Sequence, residues 1–221
     1  MLISRCSFFK LSAKLKKMFA LKGSDMNAPL QQEDYCGTFF AAKLLGFSVG
    51  TIQTMVEKGE LQAWKTQGGH RRISMQSIRE YQRKHGLAEV PEKTRYLKVL
   101  VVEDDAAMLE VFKSTIDGWT LPVDCSLMSS AMEALIDINT IRPDLLITDL
   151  KMPGVDGFEL LRTLRANPSF SSMVVVAMTG LSSAEIAERG GLPAQSVTIQ
   201  KPVDMRWLQG FIAALVAMRQ L

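Results

Sequence analysis

Asp144-Leu145-Leu146-Ile147-Thr148-Asp149-Leu150-Lys151-Met152-Pro153-Gly154 decides the reading of this chain. Leu145 to Thr148 is a short apolar, β-prone run, which predicts a strand buried on both faces. It ends on an acid, Asp149, and Pro153 and Gly154 then force a loop. Open α/β sheets build their sites at the C-terminal ends of such strands. A single Asp there would equally well start a turn.

Other residues stand at matching places. Val99 to Val102 is a second apolar run and ends in Glu103-Asp104-Asp105. Val174 to Met178 ends in Thr179-Gly180, and Val197 to Ile199 is followed by Gln200-Lys201-Pro202. In a parallel sheet, acids, a hydroxyl and a lysine at strand C-termini share one edge. Helix candidates alternate with these runs at Ala106–Ile116, Ser130–Thr140, Gly157–Ala166, Ser183–Arg189 and Asp204–Gln220. Strands alternating with these five helices should number five, one more than the runs quoted, which implies a doubly wound (βα)5 parallel sheet covered on both faces.

On these residues the segment 96–221 resembles the receiver domain of two-component response regulators. Asp149 to Thr179 is 30 positions and Asp149 to Lys201 is 52, both receiver-like, and Pro153 and Gly157 fall where receivers place Pro and Gly. The resemblance implies that Asp149 is the phosphoacceptor. It implies Mg²⁺ on Asp104, Asp149 and the backbone carbonyl of Lys151, with Glu103 acting largely through water. Thr179 and Lys201 correspond to the residues that stabilise the phosphoryl group, and the peptide before Pro202 is often cis in that family. The family usually carries an aromatic switch residue three positions before the lysine. Here that position is Thr198, so the switch pair is Thr179 and Thr198 with no ring to rotate.

The composition fits two modest domains. The chain has 221 residues, 47% of them hydrophobic, and no apolar run approaches a membrane span. Three scattered cysteines, Cys6, Cys36 and Cys125, read as reduced thiols in a cytosol, and two histidines are too few for a metal cluster. Residues 1–95 carry a balance of +8 and residues 96–221 one of −5. A basic half beside an acidic half points to a nucleic-acid module joined to a module of another kind.

The basic half divides further. In residues 1–34, Lys10, Lys14, Lys16, Lys17 and Lys22 alternate with Leu11, Leu15, Met18, Phe19 and Leu21. This stretch reads as a disordered tail, a translation start upstream of Met26, or a membrane-surface helix. From residue 35 to 85, Thr38 can cap a helix to Leu45, and Ser48 can cap a second one to Lys58. Gly46 and Gly59 stop them. Leu61 to Thr66 and His70 to Ile73 then flank Gly68-Gly69 as a hairpin, and Ser74 or Ser77 can cap a last helix ending near Lys84. Residues 86–95 read as a linker.

Helix-turn-helix, hairpin and helix in this order resemble the MerR-like and excisionase-like winged-helix DNA-binding families. The resemblance rests on Ala41 to Ser48, Gly59-Glu60-Leu61 and above all Gly68-Gly69-His70-Arg71-Arg72-Ile73. It implies duplex DNA as a partner, with contacts from Ser48, Val49, Thr51, Gln53 and Thr54 on the second helix. Lys65, His70, Arg71 and Arg72 would add contacts from the wing. No arginine lies on that helix, so its surface for reading bases is thin.

Together these readings describe a signalling protein that catalyses only its own phosphorylation and dephosphorylation. A histidine kinase would phosphorylate Asp149, and the winged helix would bind DNA as a transcription regulator. The alternative is a phosphorylation-gated regulator whose winged helix binds protein. The last helix, with Trp207, Leu208, Phe211, Ile212, Leu215, Val216 and Met218, has apolar surplus for a homodimer seam, a dock for the winged helix, or a broad buried face.

Overall fold

The structure, a computed structural model, describes residues 34–66, 69–87, 96–194 and 196–219. The basic tail with Cys6, except Asp34, lies outside them, and so does most of the expected linker. Asp34–Leu221 forms one compact unit.

Its first part is a winged module. Strand β1 (Tyr35–Gly37) leads into α1 (Thr38–Leu45), then α2 (Val49–Glu57), β2 (Ala63–Lys65), β3 (Arg71–Ser74) and α3 (Met75–Lys84). Gly46 ends α1 at φ 72°, a left-handed conformation that strains any residue with a Cβ. The chain turns by 102° before α2. Ser48 caps α2 by accepting the Thr51 N–H, and Ser74 caps α3 by accepting the Ser77 N–H. Such caps are worth about 1 kcal/mol each. Thr38 does not cap α1. The N-cap residue there is Gly37, because β1 runs straight into the helix and pairs Gly37 with Arg72 of β3. Phe40, Leu45, Ile52, Met55, Leu61, Ile73 and Ile78 close the small core.

The second part is an α/β domain. Strands β4 (Leu97–Val102), β5 (Val123–Met128), β6 (Leu145–Asp149), β7 (Val174–Thr179) and β8 (Ser196–Gln200) form one sheet in the order β5-β4-β6-β7-β8. Every pairing is parallel. Helices α4 (Ala106–Asp117), α5 (Ala131–Ile141), α6 (Gly157–Arg165), α7 (Ser183–Glu188) and α8 (Met205–Arg219) alternate with the strands. Strand side chains alternate between faces. Val99, Val101, Ile147, Val176 and Met178 thus pack with Phe112 and Ile116 of α4 and Leu208, Ile212 and Val216 of α8. Leu100, Val102, Leu146 and Val175 are as deeply buried on the opposite face. Each such side chain contributes about 1.5–3 kcal/mol by leaving water.

The two parts meet along the edge strand β5. Tyr96, just before β4, enters the winged core and lies 4.5 Å from the Phe40 ring. Its hydroxyl donates to Asp34 Oδ2 at 2.7 Å, and Lys98 Nζ donates to Asp34 Oδ1. Among the described residues the main contacts of the winged module on the α/β domain are to β5, not α8. There Trp207 and Met218 are exposed, and Trp207 stacks on Phe211 at 5.2 Å. No single helix among the described residues is long and apolar enough to cross a membrane.

Candidate functional site

The C-terminal ends of the central strands converge on one carboxylate. Asp149 closes β6 and is buried. Glu103 follows β4 and is 1% exposed, while Asp104 beside it faces solvent. Asp105 caps α4 by accepting the N–H groups of Ala107 and Met108, so it turns away from this cluster into its own helix. From the far side, Lys201 Nζ donates to Asp149 Oδ2 at 2.6 Å and to Glu103 Oε2 at 2.7 Å. The Lys151 N–H donates to Asp149 Oδ1 at 3.0 Å.

The electrostatics follow from this crowding. Burial pushes the Glu103 carboxyl above its ordinary range, the Asp149 charge adds to the rise, and Lys201 pulls it back. Partial burial alone would depress the Lys201 ammonium, but its bonds to Asp149 and Glu103 outweigh that and hold it above its ordinary value. Glu103, Asp104 and Asp149 each present one oxygen, all within 4.8 Å of one another. Oxygen donors at this spacing fit a hard divalent ion that keeps part of its water. Such a donor set could hold a hydrated Mg²⁺.

Thr179 ends β7 with its side chain buried, and its Oγ1 accepts the Leu181 N–H at 2.9 Å. Thr198 lies on the outer strand β8 and is exposed. The Lys201–Pro202 peptide is cis. Gly157 opens α6 directly over the strand end. A Cβ built there would stand 2.1 Å from the Asp149 carbonyl oxygen and 2.8 Å from Leu150 Cα.

The residues expected to contact DNA divide into two sets. Ser48, Val49 and Thr51 are exposed at the start of α2 and Thr54 further along it, and Lys65 is exposed on β2, with Gln53 half-buried. The wing residues have partners within the protein. His70 Nε2 lies 3.0 Å from Glu133 Oε1 of α5, and Arg71 Nη2 lies 3.1 Å from Glu57 Oε1. Arg72 is 5% exposed. The glycine pair of the wing turn carried no sign of this docking. Asp34, Asp124 and Glu133, which hold the wing side to the α/β domain, stood out in no sequence pattern.

Comparison with known proteins follows the same division. The family described as "Response regulator receiver domain" matches residues 99–213, and that described as "Helix-turn-helix domain" matches residues 41–86. The DNA-binding response regulator MtrA of Mycolicibacterium paratuberculosis is 32% identical over 108 residues, 49% of this chain and 47% of its own. The phosphate regulon transcriptional regulatory protein PhoB of Rhizobium meliloti is 29% identical over 119 residues, covering 54% and 52%. The chain thus spans about half the length of the curated relatives it matches. Among solved structures, the signal receiver domain of a DNA binding response regulator protein (merR) from Colwellia psychrerythraea aligns with a TM-score of 0.50. It is 24% identical and covers 55% of this chain and 98% of that one, a likeness of fold. With its receiver match spanning just over half of its length, and acids, threonine and lysine gathered at one sheet edge, the chain belongs to the response regulator receiver domain family.

Proposed function

We propose that this protein is a DNA-binding response regulator that takes a phosphoryl group on Asp149 from a histidine kinase. The observation that carries the proposal is the ammonium of Lys201 set between Asp149 Oδ2 and Glu103 Oε2. A buried acid beside other acids repels an incoming phosphoryl group unless fixed positive charge stands next to it. Asp104, Asp149 and the Lys151 carbonyl would hold Mg²⁺, with Glu103 through water, and the ion would neutralise charge on the transferring oxygens. An Asp149 carboxylate oxygen attacks phosphorus, the bond to the kinase imidazole breaks, and the imidazole departs as the acyl phosphate forms. Lys201 then pairs with a phosphoryl oxygen, and the Thr179 hydroxyl at the end of β7 donates to another.

The direct test is incubation with acetyl phosphate and Mg²⁺, read by intact mass. Gain of one phosphoryl group that is removed by hydroxylamine supports the proposal. No gain at any Mg²⁺ concentration defeats it. The DNA part is tested by salt-dependent binding to a duplex pool, since phosphate contacts give a linear fall of log affinity with log salt. The burial of Arg72 and the lack of arginine on α2 favour a second reading, in which the winged module binds a protein. Absence of duplex binding at low salt would select it.

Thr179 is the residue through which the phosphoryl group is felt. Thr179→Ala is expected to leave Asp149 labelling in place and remove most of the change in DNA affinity that follows it. Thr198→Ala, on an exposed edge, is expected to stay within about 0.5 kcal/mol of the parent in stability and to respond normally. Phosphorylating both variants and titrating duplex decides the point. A Thr198→Ala protein that labels but no longer responds would make Thr198 the switch.

A further inference from the structure

Strands β7 and β8 end abreast of each other, with Thr179 beside Gln200 in the pairing register. The Lys201 N–H donates to the Thr179 carbonyl at 3.0 Å, so the main chain already ties the lysine and the threonine of the site together. That bond places the Thr179 backbone. It leaves the direction of the side-chain O–H to be set by other partners. A hydroxyl has one hydrogen to give and two lone pairs to offer. The Leu181 N–H occupies one of those lone pairs at 2.9 Å. Among the described residues no group accepts the hydroxyl hydrogen, which is the one a phosphoryl oxygen on Asp149 would take. The aim of that hydrogen therefore depends on where the Leu181 N–H stands.

The surroundings restrain Leu181 weakly. Gly180, between it and Thr179, is exposed, and a Cβ built there would meet nothing within 4 Å. No packing fixes the backbone at that residue, which is also the most permissive type. Helix α7, just beyond, buries none of its residues. Its capping box closes Ser182 on Glu185 and not on the sheet. Leu181 itself has two anchors. Its side chain is 1% exposed, and its carbonyl accepts Gln200 Nε2 at 3.0 Å. Apolar burial is non-directional and lets the residue turn. A hydrogen bond is directional. With its N–H on Thr179 and its carbonyl under Gln200, Leu181 has a peptide group held on each side of its Cα.

We propose that Gln200 is a positioning residue for phosphoryl transfer to Asp149. Its side-chain amide holds the Leu181 carbonyl, which keeps the Leu181 N–H on Thr179 Oγ1 and so points the hydroxyl hydrogen at the phosphoryl group. A donor set in advance toward developing charge needs no reorganisation when the group arrives. Gln200 acts at one remove, through Leu181 and Thr179. The proposal deepens the reading of Asp149 as the phosphoacceptor and rests on it.

The test labels the full chain with acetyl phosphate and Mg²⁺ and reads the initial rate by intact mass. Gln200→Met keeps the length of the side chain and removes the donor. Gln200→Ala also lacks the donor and serves if the methionine folds poorly. Gln200 is exposed at the end of an outer strand, so melting points should stay within about 2 °C of the parent. Gln200→Met is expected to reach full labelling about fivefold more slowly, within the span that one lost hydrogen bond covers. Thr179→Ala should also label more slowly than the parent. In that background Gln200→Met is expected to change the rate by less than about 1.5-fold, because the hydroxyl it aims is gone. A role in stability alone would slow both backgrounds alike. Parent rates in both Gln200 variants, a parent rate in Thr179→Ala, or an equal loss with and without the hydroxyl would each overturn the positioning role and leave Asp149 as the acceptor. A parent protein that takes up no phosphoryl group would overturn the phosphoacceptor reading itself, and the role of Gln200 with it.

Discussion

Asp149→Asn is expected to take up no phosphoryl group from acetyl phosphate under conditions that label the parent protein completely. The amide lacks a nucleophilic oxygen anion, so the loss is total. The fold should stand. The amide oxygen of the variant can still accept the Lys151 N–H, and removing one of two buried acids relieves repulsion on Glu103. Circular dichroism and thermal melting should therefore match the parent while intact mass shows no adduct. Labelling at the parent level would exclude Asp149 as the acceptor and move attention to Asp104, the exposed acid beside it.

Gly157→Ala is expected to be the most damaging single methyl in the α/β domain. The new Cβ would stand 2.1 Å from the Asp149 carbonyl oxygen. That neighbour is backbone, held in a central strand paired with β7, and cannot rotate away. The start of α6 must lift, or β6 must bend. Overpacking into fixed backbone costs typically 1–3 kcal/mol and at times more, so a loss of about 3 kcal/mol or more is expected. That corresponds to a melting point lower by about 6–12 °C in a chain of this size. Phosphoryl uptake should fall as well, since the displaced carbonyl belongs to the acceptor residue. Denaturant and thermal unfolding measure the first effect, and initial labelling rate the second. A melting point within about 2 °C of the parent would show that α6 moves freely over the strand end.

The convergence of Glu103, Asp104, Asp149, Thr179 and Lys201 was legible because each follows an apolar run. A strand buried on both faces leaves a nearly continuous hydrophobic signature, and whatever polar residue ends it stands out. Ser48 was legible as a helix cap for a similar reason, sitting next to a periodic segment. Strand β5 gave no such signature. It is an edge strand that mixes Val123, Leu127 and Met128 with Asp124 and Ser126. Strand β1 is three residues long and runs directly into a helix, so Thr38 drew the cap that belongs to Gly37. The joint was least legible. Gly37 and Asp124 are 87 positions apart and His70 and Glu133 are 63 apart, and no local pattern announces a pair at such a distance. Arg72 shows the cost of that blindness. Its place beside Arg71 in a wing reads as a surface cation, yet tertiary packing buries it against the neighbouring domain.

A parallel sheet has two raw margins, and this one treats them differently. On β8 the residues are half-buried or exposed, with Thr198 open to solvent. On β5 the outer margin is roofed by β1 and α1, and most of its residues are buried. Cutting the chain ahead of Leu97 would remove that roof. A fragment so trimmed would expose a row of unsatisfied amides and carbonyls, the surface on which foreign strands add and aggregates nucleate. It would also bare an acid adapted to burial. The winged module therefore serves the sheet as a selvedge, with β1 and α1 covering the margin that β5 would otherwise leave bare.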